Sequence, residues 1–339
     1  MSLENRPVLS PQEGLPPVEP PSLGLIVRLF LVPLGIVAVV VLVVWGVHYL
    51  ATSSWDPEAY LAELEQQGPN RWQVAYDFAQ LVRRSDVRTN AQVAQRLGQI
   101  LLAQLEDPPP EESAERFQTE ANFRIYLVKA LGEFSVPEGF PALLQAARLG
   151  RNEPERQVQM AAVEAVATLT FHVLQSGRTV PEEVITTLLE LSRHQDPRLR
   201  TRAAFALGVL DQTASAEVLD RLEQMLDDPV VDVRYNAAVA LARYGRSEAV
   251  PTLVEMLQPQ QPEAVELEKD PAGKTIKVAR IHITALQAAL LLAKQNPQAD
   301  LSPLVAPAEK LAQASQTPAK IRIRARELLN VLHDRASRE

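Results

Sequence analysis

Two stretches in the second half of the chain carry nearly the same text. They are Asp196-Pro-Arg-Leu-Arg200-Thr-Arg-Ala203-Ala204-Phe-Ala206-Leu207-Gly208 and Asp228-Pro-Val-Val-Asp-Val-Arg234-Tyr-Asn-Ala237-Ala238-Val-Ala240-Leu241. Arg200 and Arg234 stand 34 residues apart. Each stretch is followed by a short polar turn and a second amphipathic segment, Ala216–Leu226 after the first and Glu248–Leu257 after the second. The unit is therefore a helical hairpin. Such a hairpin cannot cover its own apolar face, so each copy has to be covered by the next. Asp196 and Asp228 are placed as N-caps, with proline at the first helical position. The Ala-Ala-x-Ala stripe keeps side chains small, which lets neighbouring helices approach closely.

Weaker copies extend the pattern in both directions. Arg71-Trp-Gln-Val-Ala75-Tyr-Asp-Phe78 and Arg124-Ile-Tyr-Leu-Val-Lys-Ala130-Leu131-Gly132 keep the arginine and the apolar positions. Gln159-Met-Ala161-Ala162-Val-Glu-Ala165-Val166 loses the arginine, and His282-Ile-Thr-Ala285-Leu-Gln-Ala288-Ala289 and Arg322-Ile-Arg-Ala325-Arg-Glu-Leu328-Leu329 close the set. The anchors Phe78, Leu131, Val166, Leu207, Leu241, Ala289 and Leu329 are spaced 53, 35, 41, 34, 48 and 40 residues apart.

This text resembles bacterial HEAT repeats, including the short form found in phycobilisome-lyase-like proteins. The resemblance rests on the Asp-Pro start, the Leu199-Arg200 and Val233-Arg234 pairs, the alanines, and Ala249-Val-Pro-Thr-Leu253 in the following helix. HEAT units run ~40–47 residues. The resemblance implies an all-α chain: a right-handed α-solenoid of about seven helical hairpins over residues 51–339. It also implies that the second helix of each pair lines the concave side. With apolar residues turned inward, that side would expose Glu183, Thr187 and Glu190, then Glu217, Asp220 and Gln224, then Glu248, Thr252 and Glu255. Such an acidic strip would bind a basic or polar segment of another protein. Arg71, Arg124, Arg200, Arg234 and Arg322 recur at one repeat position. In HEAT-like proteins the equivalent arginine ties adjacent repeats through acidic side chains and helix-end carbonyls, so a structural role is implied.

The N-terminal quarter is different in kind. Six prolines in the first 21 residues make residues 1–22 a disordered, partly polyproline-II tail by expectation. Residues 29–47 then run without a charge and would span roughly 28 Å as a helix, close to the hydrocarbon thickness. A transmembrane helix is expected over 23–50, with Pro33 near its start and Trp45 and Tyr49 at the far interface. A cleaved signal would have a shorter apolar core, about 7–15 residues. Arg28 precedes the span, while Asp56, Glu58, Glu63 and Glu65 follow it. The positive-inside rule then puts the N-terminus in the cytoplasm and the body on the far, periplasmic side.

Two interruptions break the repeat. Val265 and Leu267 alternate with Glu, Ile276 and Val278 alternate with Lys, and Asp270-Pro-Ala-Gly273 reads as a turn. An inserted β-hairpin over about 263–280 is expected, serving as an ornamental loop or as a partner-docking finger. Pro108–Pro110, followed by Glu111, Glu112, Glu115 and Glu120, reads as a solvated linker.

Chemistry is excluded more firmly than it is indicated. With no cysteine the chain has no thiolate, Fe–S or Cys-zinc site. A formal net charge of −8 opposes general nucleic-acid binding. His48, His172, His194, His282 and His333 form no metal-ligand spacing, and no phosphate loop or nucleophile motif is present. The expectation is a non-enzyme without cofactor, metal or small-molecule substrate: a membrane-anchored scaffold or adaptor whose partner is a membrane-associated or envelope protein. The alternative within the resemblance is a lyase or isomerase-type subunit related to bilin lyases.

Overall fold

The structure, a computed structural model, describes residues 24, 27–52, 56–66, 68, 70–84, 86–106, 114–150, 152–210, 214–258, 262–265 and 268–337. The Pro-rich tail of 1–22 and the run 108–112 lie outside them. The chain divides into two units, Met1–Asp56 and Pro57–Glu339.

The first unit holds a π-helical turn, Val27–Leu31, and helix α1, Val32–Thr52. Its Val, Leu and Ile side chains from Val32 to Val47 are all exposed, because every face of that stretch is apolar and no polar face marks a side for water.

The second unit is helical throughout, with no strand among the described residues. In chain order it runs α2 (Pro57–Glu65), α3 (Arg71–Arg84), α4 (Ala91–Glu106), α5 (Ala114–Gly132), α6 (Phe140–Arg148), α7 (Glu153–Gln175) and α8 (Glu182–Ser192). It continues with α9 (Pro197–Leu207), α10 (Ala216–Gln224), α11 (Val231–Arg243), α12 (Val250–Leu257), α13 (Pro271–Gln295), α14 (Val305–Gln313) and α15 (Ala319–Ala336). The odd-numbered helices α3 to α15 pack side by side as one layer, and each even-numbered helix packs on the odd-numbered helix that follows it. One continuous aliphatic core lies between the layers. Phe78, Leu131, Val166, Leu207, Leu241, Ala289 and Leu329 are all buried in it.

Local chemistry sets the helix ends. Asp196 accepts the Arg198 amide at 2.9 Å and Asn152 accepts that of Glu155 at 3.1 Å, capping α9 and α7. Asp228 accepts the Val230 amide at 2.9 Å, and α11 begins only after Val230, two residues later than the alignment with Asp196 suggests. Gly177 and Gly245 adopt positive φ (73° and 72°) just past α7 and α11. There Arg178 and Arg246 donate back to the Val173 and Leu241 carbonyls, closing Schellman-type ends that need a residue without Cβ strain.

The expected β-hairpin is not formed. Residues 271–279 are the start of α13, the longest helix of the unit, and 262–265 is a 3-10 turn. Asp270-Pro271, read as a turn, is the same capping signal as Asp196-Pro197: the Asp270 carboxylate accepts the Gly273 amide at 2.9 Å. The Ile276/Val278 alternation spans too few residues to outweigh a capped start that leads straight into an Ala/Leu helix. Lys277 is buried and pairs with Asp232 on α11 at 3.3 Å.

Candidate functional site

The outward face of the odd-numbered layer carries a groove. On α7, Glu164, Thr168, Phe171 and Gln175 follow at intervals of four, three and four, so one helix face presents them together. Phe205 on α9, Arg243 and Tyr244 at the end of α11, and Leu291 and Gln295 on α13 continue the face. Glu164 apart, these side chains line an open cavity of about 700 Å³ together with Ala167, Leu174, Gly208 and Val209. Gly208 sets the depth of its floor: a Cβ there would lie 2.6 Å from the Ala240 Cβ, so only glycine lets α9 come this close to α11. A second cavity of about 340 Å³ shares Thr168 with the first and continues the groove over α5 and α3, past Lys129, Tyr126, Arg83 and Tyr76. Tyr76 meets Tyr126 edge-on at 5.4 Å, which holds both rings upright.

Apolar exposure is concentrated here. Tyr76, Phe171, Phe205 and Leu291 are 39–48% exposed; among the described residues of this unit only Ile276 and Ile323 are other large apolar side chains so placed. A cation stands among the rings. The Arg243 guanidinium lies 5.7 Å from the Phe205 ring centre and donates to the Gly208 carbonyl at 3.3 Å. Burial holds its pKa below the usual arginine value, and no carboxylate offsets that effect. Glu164, in the second cavity, is bound instead to Arg202 at 2.7 Å.

The acidic strip expected on the even-numbered layer is built differently. Thr187 and Thr252 are buried, not exposed. The Thr187 hydroxyl donates to the Glu183 carbonyl at 2.7 Å and accepts from Arg148 at 2.8 Å. Glu183 and Glu190 flank that same Arg148 at 3.0 and 3.9 Å, Glu217 lies 3.9 Å from Arg193, and Glu248 3.1 Å from Arg246. Glu255 accepts from Arg234 at 2.9 Å and from the Tyr235 hydroxyl at 3.2 Å. Asp220 and Gln224 are exposed, with Gln224 accepting from Arg221 at 3.2 Å. Arginines answer much of this charge, those at Glu183, Glu190, Glu217 and Glu255 coming from other helices or their ends, which periodicity within one helix does not reveal. The groove of Phe171, Phe205 and Leu291 is lined by the odd-numbered helices, the layer opposite to this strip.

The repeat arginines fall into two geometries. Arg200 donates to the carbonyls of His194 and Gln195 (3.0 and 2.9 Å) and forms a two-point pair with Asp228 at 2.7 and 2.9 Å. Arg234 repeats this on Asp228 and Pro229, and Arg322 on Ser315 and Thr317. Arg71 instead binds Glu120 and Gln104 and covers the Phe123 ring at 4.2 Å, while Arg124 is buried within α5. Among the described residues no three His, Cys, Asp or Glu side chains converge. His282 is buried without a partner on Nε2, and its pKa is pushed down to about 4 by loss of solvation.

Paired helices in two layers, with small residues at the closest contacts, define a helical-repeat solenoid. The family model for HEAT repeats matches residues 101–208 and again residues 185–267, taking in both Asp-Pro segments and the groove helices α7, α9 and α11. Among curated proteins none matches the chain. Of solved structures, the crystal structure of an engineered protein is 16% identical, with 69% of this chain and 98% of that chain covered at a TM-score of 0.34.

Proposed function

We propose that this chain is a non-catalytic scaffold that holds a segment of another protein in the groove across α7, α9, α11 and α13, and that it does so at a membrane. The observation that carries the reading is the row of exposed rings and Leu291 on one face of a body whose other large apolar side chains are almost all covered. A monomeric surface of this kind is a partner site in general. The groove crosses several helices and is open along its length, which suits an elongated chain segment better than a compact metabolite. Photo-crosslinking with benzoyl-phenylalanine at Phe171 and at Phe205, against the same probe at Glu217 on the other layer, tests it in native membranes. Adducts from the groove positions are expected. Adducts from position 217 alone reject the groove.

Residues 29–47 serve in this proposal as an uncleaved, single-pass anchor, with the N-terminus cytoplasmic and the repeat body on the opposite, envelope side. Uniform apolarity with full exposure supports a lipid surrounding, and Arg28 before the span against four acids after it supports the orientation. Alkaline carbonate should leave the full chain in the membrane pellet. Trypsin added to sealed right-side-out vesicles should digest the body; a body protected until detergent is added reverses the orientation. Confinement to the membrane would raise the local concentration of a membrane-associated partner, a gain of effective concentration with no new contact.

A further inference from the structure

We infer that Arg243 is the specificity-determining residue of the groove, binding a carboxylate of the partner segment while Phe171, Phe205 and Leu291 take bulky apolar side chains on either side of it; this rests on the groove being the binding site. Of its five N–H donors, one hydrogen bond is made among the described residues, to the Gly208 carbonyl. Phe205 holds the guanidinium plane from one side. Arg322 is held by two backbone carbonyls, while many arginines of the body meet a carboxylate of this chain, as Arg200 meets Asp228 and Arg202 meets Glu164. Arg243 meets none among the described residues. A partly desolvated guanidinium with unused donors, set among rings, is complementary to a planar anion flanked by apolar groups. Lys129, exposed in the adjoining cavity at 5.3 Å from the Tyr126 ring, adds to the same sign. So although the chain as a whole is acidic, the preferred segment is itself acidic and apolar, opposite in charge to the partner that the strip of glutamates suggested.

A phage-displayed random 12-residue peptide library, panned on the full-length protein in nanodiscs, is the probe. Wild type should enrich Asp or Glu flanked by Phe, Leu or Trp. Parallel panning on Arg243→Gln should keep the apolar enrichment and lose the acidic one, and Arg243→Lys should restore part of it. A synthetic peptide from the wild-type selection should bind Arg243→Gln about tenfold or more weakly, the range of one charged hydrogen-bonded contact. Circular dichroism melts confirm that each variant folds. Acidic enrichment that persists unchanged on Arg243→Gln overturns the assignment, as does enrichment of Lys and Arg on wild type. Peptides that bind a Phe171→Ser/Phe205→Ser double variant as well as wild type remove the groove itself and leave Arg243 without a role. Laurate bound in an Arg243-dependent way, with no peptide enriched, gives the site to a lipid and overturns the peptide assignment.

Discussion

Helix α13 and the helical run Val27–Val47 are both long and apolar enough to cross a membrane, with mean hydropathy of 1.5 and 2.9 over their most apolar windows. They have opposite fates. No residue of the N-terminal run is buried, whereas 44% of the α13 window lies inside the body. The difference is pattern rather than amount. In α13, Ile281, Ala285, Leu286, Ala288, Ala289 and Leu292 form a stripe against the core, while Lys274, Arg280 and Lys294 face away. The N-terminal run has no polar face, so no protein neighbour can leave one side of it to water. Length and hydropathy set what a helix tolerates, and periodicity decides which solvent it needs.

The sharpest way to break this comparison is a charge in each helix. Leu286→Asp puts a carboxylate at a fully buried position of α13 and should cost about 4 kcal/mol or more, abolishing the cooperative melt of the body. Val39→Asp with Val43→Asp in α1 should leave that melt unchanged and release protein from carbonate-washed membranes. Equal loss of body stability from both would show α1 to be a core helix as well.

A smaller effect reads the burial of α13 through pH. His282 has a folded pKa near 4 against an ordinary value of 6.5, so the folded state takes up its proton later than the unfolded chain. Stability from this group is fully present above pH 6.5 and is lost as pH falls toward 4, by roughly 3 kcal/mol in all. Urea melts between pH 7 and 4 should show this slope, and His282→Leu should flatten it. Smaller again is the cap: Asp270→Ala should cost about 1 kcal/mol, read as a lower urea midpoint, and fray the first turn of α13. A strand in this region would show no such dependence. The smallest expected effect is at Ile276, 68% exposed at the start of α13. Ile276→Ser should change stability by no more than about 0.5 kcal/mol, and a larger loss would place that side chain against a surface of the body.

Much of the body was legible from the repeat. The anchor residues were found by spacing and all land in the core, because burial of one face is what imposes the period. Legibility failed where one local signal has two meanings. Asp-Pro opens a helix at 196 and 270 alike, yet the short alternation after 270 favoured a hairpin. The groove was not legible at all. Its walls come from helices more than a hundred residues apart, from Ala167 to Gln295, and no motif joins them. The available signal was a mismatch: Phe171, Phe205 and Leu291 are large apolar residues at positions that an amphipathic helix gives to polar ones.

Spacing and composition set the units of this protein: an apolar segment of membrane length, a helical hairpin repeated along the rest, and the absence of thiol chemistry. Those features are local or periodic, so composition and spacing carry them. Packing between helices settles which layer holds the groove, which glutamates are already answered by arginines, and that Arg243 meets no carboxylate among the described residues. Each depends on side chains brought together from different helices, and a linear text does not encode which outward faces meet.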